Sequence, residues 1–107
     1  MTRVPTHPGK FIANDVLQEY GLTQQELADM LKVSRLTINE LAQGKRSVTP
    51  GMALRLEKLT GQSAEFWMRL QNMYDLAVTR MDMIEALQEI EPLDGTDGRN
   101  LTEDSAK

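Results

Sequence analysis

Residues 24–44 read QQELADMLKVSRLTINELAQG, and they restrict the fold of this chain more than any other stretch. They imply two short amphipathic helices with almost nothing between them. The first starts at Thr23-Gln24-Gln25-Glu26, a capping box: the Thr23 hydroxyl can accept from the third helical N–H while Glu26 reaches back to the Thr23 N–H. Leu27, Ala28 and Leu31 form its apolar face. The second starts at Ser34, a good N-cap. It turns Ile38 and Leu41 inward and stops at Gly44, which suits a left-handed C-terminal cap. Lys32 and Val33 alone separate the two helices. Val33 can plug the gap between them, and the small Ala28 lets them cross closely.

Two helices so joined predict a helix-turn-helix, in which the second helix lies in the DNA major groove. An ordinary helical hairpin in a small bundle has the same periodicity. The residues left over once the core is assigned favour DNA. Arg35, Leu36, Thr37, Asn39 and Glu40 form the outer face of the second helix, and Arg35, Thr37 and Asn39 suit base edges and phosphates.

The net charge of −4 argues at first against a nucleic-acid partner. Its distribution answers the objection. Residues 1–80 carry ten Lys and Arg against eight Asp and Glu, whereas residues 81–107 carry two against eight. Lys32, Arg35, Lys45 and Arg46 cluster within residues 32–46, opposed there only by Glu40. Phosphate attraction follows such a local patch, because screening acts over about 8 Å at physiological salt. The acidic end suggests a separate role.

The 107 residues fit one domain, or one domain plus a tail. With no cysteine there is no disulfide framework, thiolate metal site or cysteine nucleophile. No apolar run approaches the roughly 18 residues of a membrane span, and MTRVPTHPGK lacks the apolar core of a signal peptide. A cytoplasmic location is expected.

The remaining pattern is helical throughout, with no period-two alternation and no internal repeat. Pro5 and Pro8 keep the first residues extended. Phe11, Ile12, Val16 and Leu17 then mark a first helix that Gly21 closes. Thr49-Pro50 opens a fourth helix with Met52, Ala53, Leu56 and Leu59 as its buried face, ended by Gly61. Ser63 caps a fifth, containing Phe66, Trp67, Leu70, Met73, Tyr74 and Leu76. Continuation to Glu91, before Pro92, would make a helix roughly 40 Å long; a break near 76–79 is equally consistent. The polar, acidic residues 92–107 read as disordered. The expected architecture is all-α: a five-helix DNA-binding domain over 1–76, a helical extension over 77–91 and an acidic tail over 92–107.

At this point the chain resembles a known family. HPGKFI, followed by LTQQELADMLKVSRLTINELAQGKRSVTPGMALRLEKLTGQSAEFWMRLQNMYDL, is similar to the HigA-type antitoxins, within the lambda-repressor-like (Xre) helix-turn-helix class. The resemblance runs from about His7 to Leu76. It implies a bacterial type II toxin–antitoxin module, in which the antitoxin binds a RelE-like, ribosome-dependent mRNA endonuclease (HigB) and represses its own operon. Lys32 departs from the class, which often places glycine at that turn for a left-handed backbone; another residue there costs on the order of 1 kcal/mol. Nothing after Leu76 matches a family motif.

For DNA, Arg35 leads the recognition helix and can donate two hydrogen bonds to guanine O6 and N7, unless it is simply a solvated arginine. Leu36 either touches a thymine methyl or packs peripherally. Thr37 and Asn39 face bases or backbone, and Asn39 can pair bidentately with adenine or bond a phosphate. Gln24, at a helix N-terminus suited to phosphate, can also buttress a recognition-helix side chain. Ser34 can bond a phosphate, though capping alone explains it. Lys45 and Arg46 are candidate phosphate contacts.

Repressors of this class usually bind double-stranded operators as symmetric dimers, with half-sites roughly 34 Å apart. Trp67, Leu70, Met73, Tyr74, Met81 and Ile84 are candidates for a homodimer seam, although Phe66, Trp67 and Leu70 also suit the monomer core. An mRNA-cleaving toxin has to be basic, so acidic surfaces are candidate contacts for it: Asp15 and Glu19 on helix one, and Asp82, Glu85, Glu89 and Glu91 further on. No catalytic role is expected. The lone histidine, His7, sits in the HPG turn, where hydrogen bonding within the turn or cap is its expected use, and no metal-ligand cluster, phosphate-cradling loop or cofactor motif is present. A stand-alone Xre repressor without a toxin partner shares the DNA chemistry; a protein-interaction bundle would show no salt-dependent operator binding.

Overall fold

A proline can open a helix at little cost, because its missing N–H would have no partner there anyway. Pro8 does this in the computed structural model, which describes residues 5–93. His7 caps the new helix: the Gly9 N–H donates to His7 Nδ1 (2.8 Å). Helix α1 (Pro8–Phe11) passes directly into a π-helical stretch, Ile12–Gln18. The Leu22 N–H reaches the Leu17 carbonyl (2.8 Å), and Gly21, at φ +64°, turns the chain away. Nothing in the local sequence accounts for the wider winding, which apolar spacing does not distinguish from an α-helix.

Helix α2 (Gln24–Leu31) carries both bonds of the capping box. The Glu26 N–H donates to Thr23 Oγ1 (3.0 Å), and the Thr23 N–H to Glu26 Oε1 (2.9 Å). It ends at Lys32, whose φ of 61° and ψ of 44° are left-handed. Lys32 is the only non-glycine residue with positive φ among the described residues, a conformation costing about 1–2 kcal/mol. Arg55 supports the turn from the helix two elements further on, donating from Nη1 to the Leu31 carbonyl (2.6 Å). That satisfies one of the acceptors a helix C-terminus leaves open.

Helix α3 (Arg35–Ala42) starts from Ser34 and is followed by Gly44 at φ +76°. Helix α4 (Pro50–Thr60) is capped by Thr49 Oγ1, which accepts from the Met52 N–H (3.2 Å), and ends at Gly61 with φ +86°. Helix α5 (Ala64–Asp82) starts from Ser63. It runs unbroken through 76–79 and stops at Met83, which joins it to the short α6 (Ile84–Gln88). The expected single helix to Glu91 and the expected break at 76–79 both give way to this later break. Residues 77–82 thus continue α5, and the short α6 takes up part of the rest of the expected extension. Residues 94–107, most of the expected tail, lie outside the described residues.

One core joins α1 through α5. Ile12, Leu27, Ala28, Ile38, Leu41, Ala53 and Leu56 are fully buried, and Val16, Leu31, Val48, Met52 and Trp67 nearly so. Helix α2 packs on α3 and α4, α4 on α5, and α1 on both α3 and α5. Two sequence expectations need correction. Leu59 is 40% exposed and does not complete the buried face of α4. Trp67, a candidate for the dimer seam, is only 2% exposed and belongs to the monomer core. Leu70 packs partly buried against the same core.

Two buried polar side chains tie distant elements together. Gln71 on α5 accepts from the Val48 N–H (2.7 Å) through Oε1 and donates to Asp75 Oδ1 (3.0 Å), which fixes the loop between α3 and α4. His7 sits with its ring edge against Tyr74 (4.8 Å between centroids). Beside it, a Cβ on Gly9 would overlap the Leu41 carbonyl. Glycine at position 9 is therefore what lets the start of α1 pack against the end of α3.

Candidate nucleic-acid interface

A helix inserted into a groove has to present its side chains from a fixed backbone, and the first turn of α3 is fixed by its own caps. Ser34 Oγ accepts from the Thr37 N–H (3.1 Å). The Ser34 and Thr37 hydroxyls are themselves hydrogen-bonded (2.8 Å). Ser34 is thus a cap first, and Thr37, half-buried, is already engaged within the turn. Arg35 and Leu36 stand exposed beside this turn, Leu36 at 60%. Arg35 makes no ion pair among the described residues, leaving its planar fork of N–H donors free.

One turn on, Asn39 Nδ2 donates to Gln24 Oε1 at the start of α2 (3.2 Å). The sequence reading allowed Gln24 to buttress a recognition-helix side chain; this is that contact. Asn39 Nδ2 carries a second proton, so that proton and Oδ1 remain for a bidentate partner. Gln24 keeps its own amide donors and sits at the positive end of α2.

Lys45 and Arg46 follow the opposite end of α3. Lys45 is exposed. Arg46 folds back on Glu40: Nη2 and Nε both donate to Oε1 (2.6 and 2.9 Å). The basic cluster seen in the sequence is therefore weaker by one charge, and Lys32, Arg35 and Lys45 supply the positive charge not paired within the fold. Glu40 has the role that position alone did not assign, as the partner of Arg46.

The structure thus joins Gln24, Ser34, Thr37 and Asn39 in two local hydrogen-bonded pairs around Arg35 and sets Lys45 and Arg46 apart. Sequence reasoning missed two supports of this surface, Arg55 under the turn and Gly9 under the end of α3. The HPG motif held a signal for Gly9, since a glycine just inside a helix start is otherwise unfavourable. His7 supports the same end of α3, because its ring lies against Gly44. Burial pushes the His7 pKa below its usual value, while the charge of Asp75 pulls it upward. The neutral ring is the form that accepts from Gly9.

Among the described residues there is no cluster of side chains able to hold a metal ion and no helix long and apolar enough to cross a membrane. The Helix-turn-helix family model matches residues 15–67. Virulence-associated protein I of Dichelobacter nodosus is 37% identical over 95 residues, 89% of this chain and 86% of that protein. Antitoxin HigA-1 of Vibrio cholerae is 31% identical over 91 residues, 85% of this chain and 86% of that one. The structure of Pseudomonas aeruginosa antitoxin HigA with the higBA promoter superposes with a TM-score of 0.80 at 38% identity, covering 83% of this chain and 98% of that one. With a match to the helix-turn-helix family and similarity along most of its length, the chain belongs to the HigA-type antitoxins of the lambda-repressor-like (Xre) helix-turn-helix class.

Proposed function

We propose that this chain binds operator DNA as a dimer through α3, represses its own operon, and neutralises a RelE-like mRNA endonuclease toxin of the HigB type. The reading rests above all on the first turn of α3, where exposed Arg35 and Leu36 project from a capped, braced backbone. Arg35 reads guanine, Leu36 meets a thymine methyl and Asn39 pairs with adenine. Gln24, Ser34 and Lys45 take phosphates, and Thr37 supports the turn. Arg46 shares itself between Glu40 and a phosphate, so its contribution is smaller than that of Lys45. The P. aeruginosa relative solved with its promoter supports the DNA partner.

One monomer's contacts are too few for tight, selective binding, and two half-sites call for two copies. Met73, Met81 and Ile84, all exposed, supply apolar surface for that pairing; Trp67 does not, and Tyr74 is engaged with His7. Toxin neutralisation draws on the exposed acids Asp15 and Glu19, with Asp82, Glu85 and Glu89 offering a second acidic surface. The work is cytoplasmic in this reading.

Titration of the protein against its own promoter at several salt concentrations tests the DNA part. Arg35→Ala with Asn39→Ala removes two base contacts at about 1–3 kcal/mol each and should lower affinity for the cognate site by roughly thirtyfold or more, with less effect on random duplex. Equal affinity and equal selectivity would overturn it. Co-expression with a RelE-like toxin whose gene adjoins that of this chain tests the rest: growth arrest that persists would leave only a repressor.

A further inference from the structure

We infer that the toxin seats an apolar side chain, flanked by its own cations, in a groove between the first helix, α2, α4 and α5, on elements other than the DNA-reading helix. The inference rests on the toxin-neutralising reading above and locates its contact. Two cavities of about 330 and 400 Å³ meet here, sharing Val16, Tyr20 and Thr60 as lining residues. Leu22, Met30 and Leu59 line one lobe; Phe66 and Trp67 line the other. No residue of α3 lines either lobe.

The walls are apolar yet open. Tyr20 is 70% exposed, Met30 51% and Leu59 40%. Trp67 Nε1 is the one buried side-chain polar atom among the described residues without a hydrogen-bond partner. A buried indole N–H usually has an acceptor, and the fold supplies none here.

Charge selects the occupant. Asp15 is the sole charged residue lining the groove, and Glu19 precedes Tyr20 on the same stretch. Both acids are exposed and make no ion pair among the described residues. Residues 92–107 carry four acids against two bases and would be repelled. A second copy of this face repeats Asp15 and Glu19, so it is not complementary to itself. A protein that grips mRNA is cationic, and it matches a rim of this sign around an aromatic anchor. Aromatic residues in such positions carry much of the binding energy at interfaces.

The test uses the full chain and a RelE-like toxin whose gene adjoins its own, with affinity read by calorimetry or surface capture. Tyr20→Ala with Leu59→Lys should weaken toxin binding on the order of thirtyfold. Asp15→Lys with Glu19→Lys should slow association on the order of tenfold, most strongly at low salt. All four positions are exposed, and an unchanged circular dichroism melt together with unchanged promoter affinity verifies the fold of each variant. If the parent binds the toxin and both variants bind it equally well, the groove is overturned while the proposed function stands. If the parent itself does not bind the toxin, the toxin-neutralising reading falls and takes the groove with it.

Discussion

At the α2–α3 end of the molecule, surface polar groups hold one another. Thr23 and Glu26 cap reciprocally, Ser34 holds Thr37, Gln24 holds Asn39, and Glu40 holds Arg46. Beyond Gln71 the reverse is true. No described residue of α5 or α6 past that point is buried, and Met73, Leu76, Met81, Ile84, Leu87 and Ile90 stand in solvent. Geometry at the first end is set within one chain, before any ligand arrives. At the second end, apolar surface is left without cover, and contiguous apolar surface of that kind marks interaction sites. A reading surface of this kind requires little reorganisation on binding DNA; the arm has more to gain from a partner.

Gly9 gives the most direct way to break the braced end. Its substitution by alanine drives a methyl into the Leu41 carbonyl. Either α1 moves off the end of α3 or the fold is lost. The expected cost is about 3 kcal/mol, or a melting point lower by more than about 12 °C for a domain of this size. Promoter affinity should fall with it, since α3 loses its support. A G9A protein that melts within a few degrees of the parent would show that the two helices are not locked together.

Gln71 comes next. Gln71→Leu keeps most of the volume and leaves the Val48 N–H buried without an acceptor, at a cost of about 2 kcal/mol. This residue marks the boundary between the two regions, because it is the last buried side chain on α5. Chemical denaturation should show a lower midpoint with little change in slope. An unchanged midpoint would mean that the loop between α3 and α4 holds its shape without α5.

His7 sharpens the comparison through pH. Its pKa is lowered in the fold, chiefly by burial and against the pull of Asp75. The sign follows from linkage: the folded state disfavours the proton, so the contribution is complete above the ordinary value of 6.5 and is lost as pH falls below it toward the lowered value. Protonation also removes the Nδ1 lone pair that accepts from Gly9. Thermal stability should decline between about pH 7.5 and 5.5, more steeply than in His7→Asn, whose amide oxygen can cap at any pH. Parallel slopes in the two proteins would remove His7 as the cause.

The split between the two regions also explains what the sequence made legible. Caps, terminators and the two-residue turn were readable because each is a bond between residues a few positions apart: Thr23 with Glu26, Ser34 with Thr37, Thr49 with Met52. The left-handed conformation of Lys32 was expected only from the family resemblance, because the class often places glycine at that turn. Gln24 with Asn39 spans only two adjacent helices. Gln71 with Val48, Arg55 with Leu31 and Gly9 with Leu41 join elements far apart in the chain, and no local pattern signals them. Leu59 and Trp67 carry equally good apolar side chains, yet one is at the rim of a groove and the other is in the core; only helix packing separates them. The break at Met83 follows no proline or glycine, and the π-helical winding of residues 12–18 leaves the apolar spacing looking ordinary.

The arm offers the smallest and sharpest test. Ile84→Lys with Leu87→Lys removes apolar surface that contributes nothing to the monomer core, so stability in dilute solution should change by less than about 0.5 kcal/mol. The effect should appear in concentration dependence instead. Helix α6 has five residues, far fewer than the roughly 12–15 an isolated helix needs to persist in water. Its amides should exchange quickly in dilute protein and slow down as concentration rises, while those of α3 stay protected throughout. The substituted protein should lose only that slowing. Were α6 already as protected as α3 in dilute parent protein, the arm would be self-sufficient, and its exposed apolar face would have to be explained without a partner.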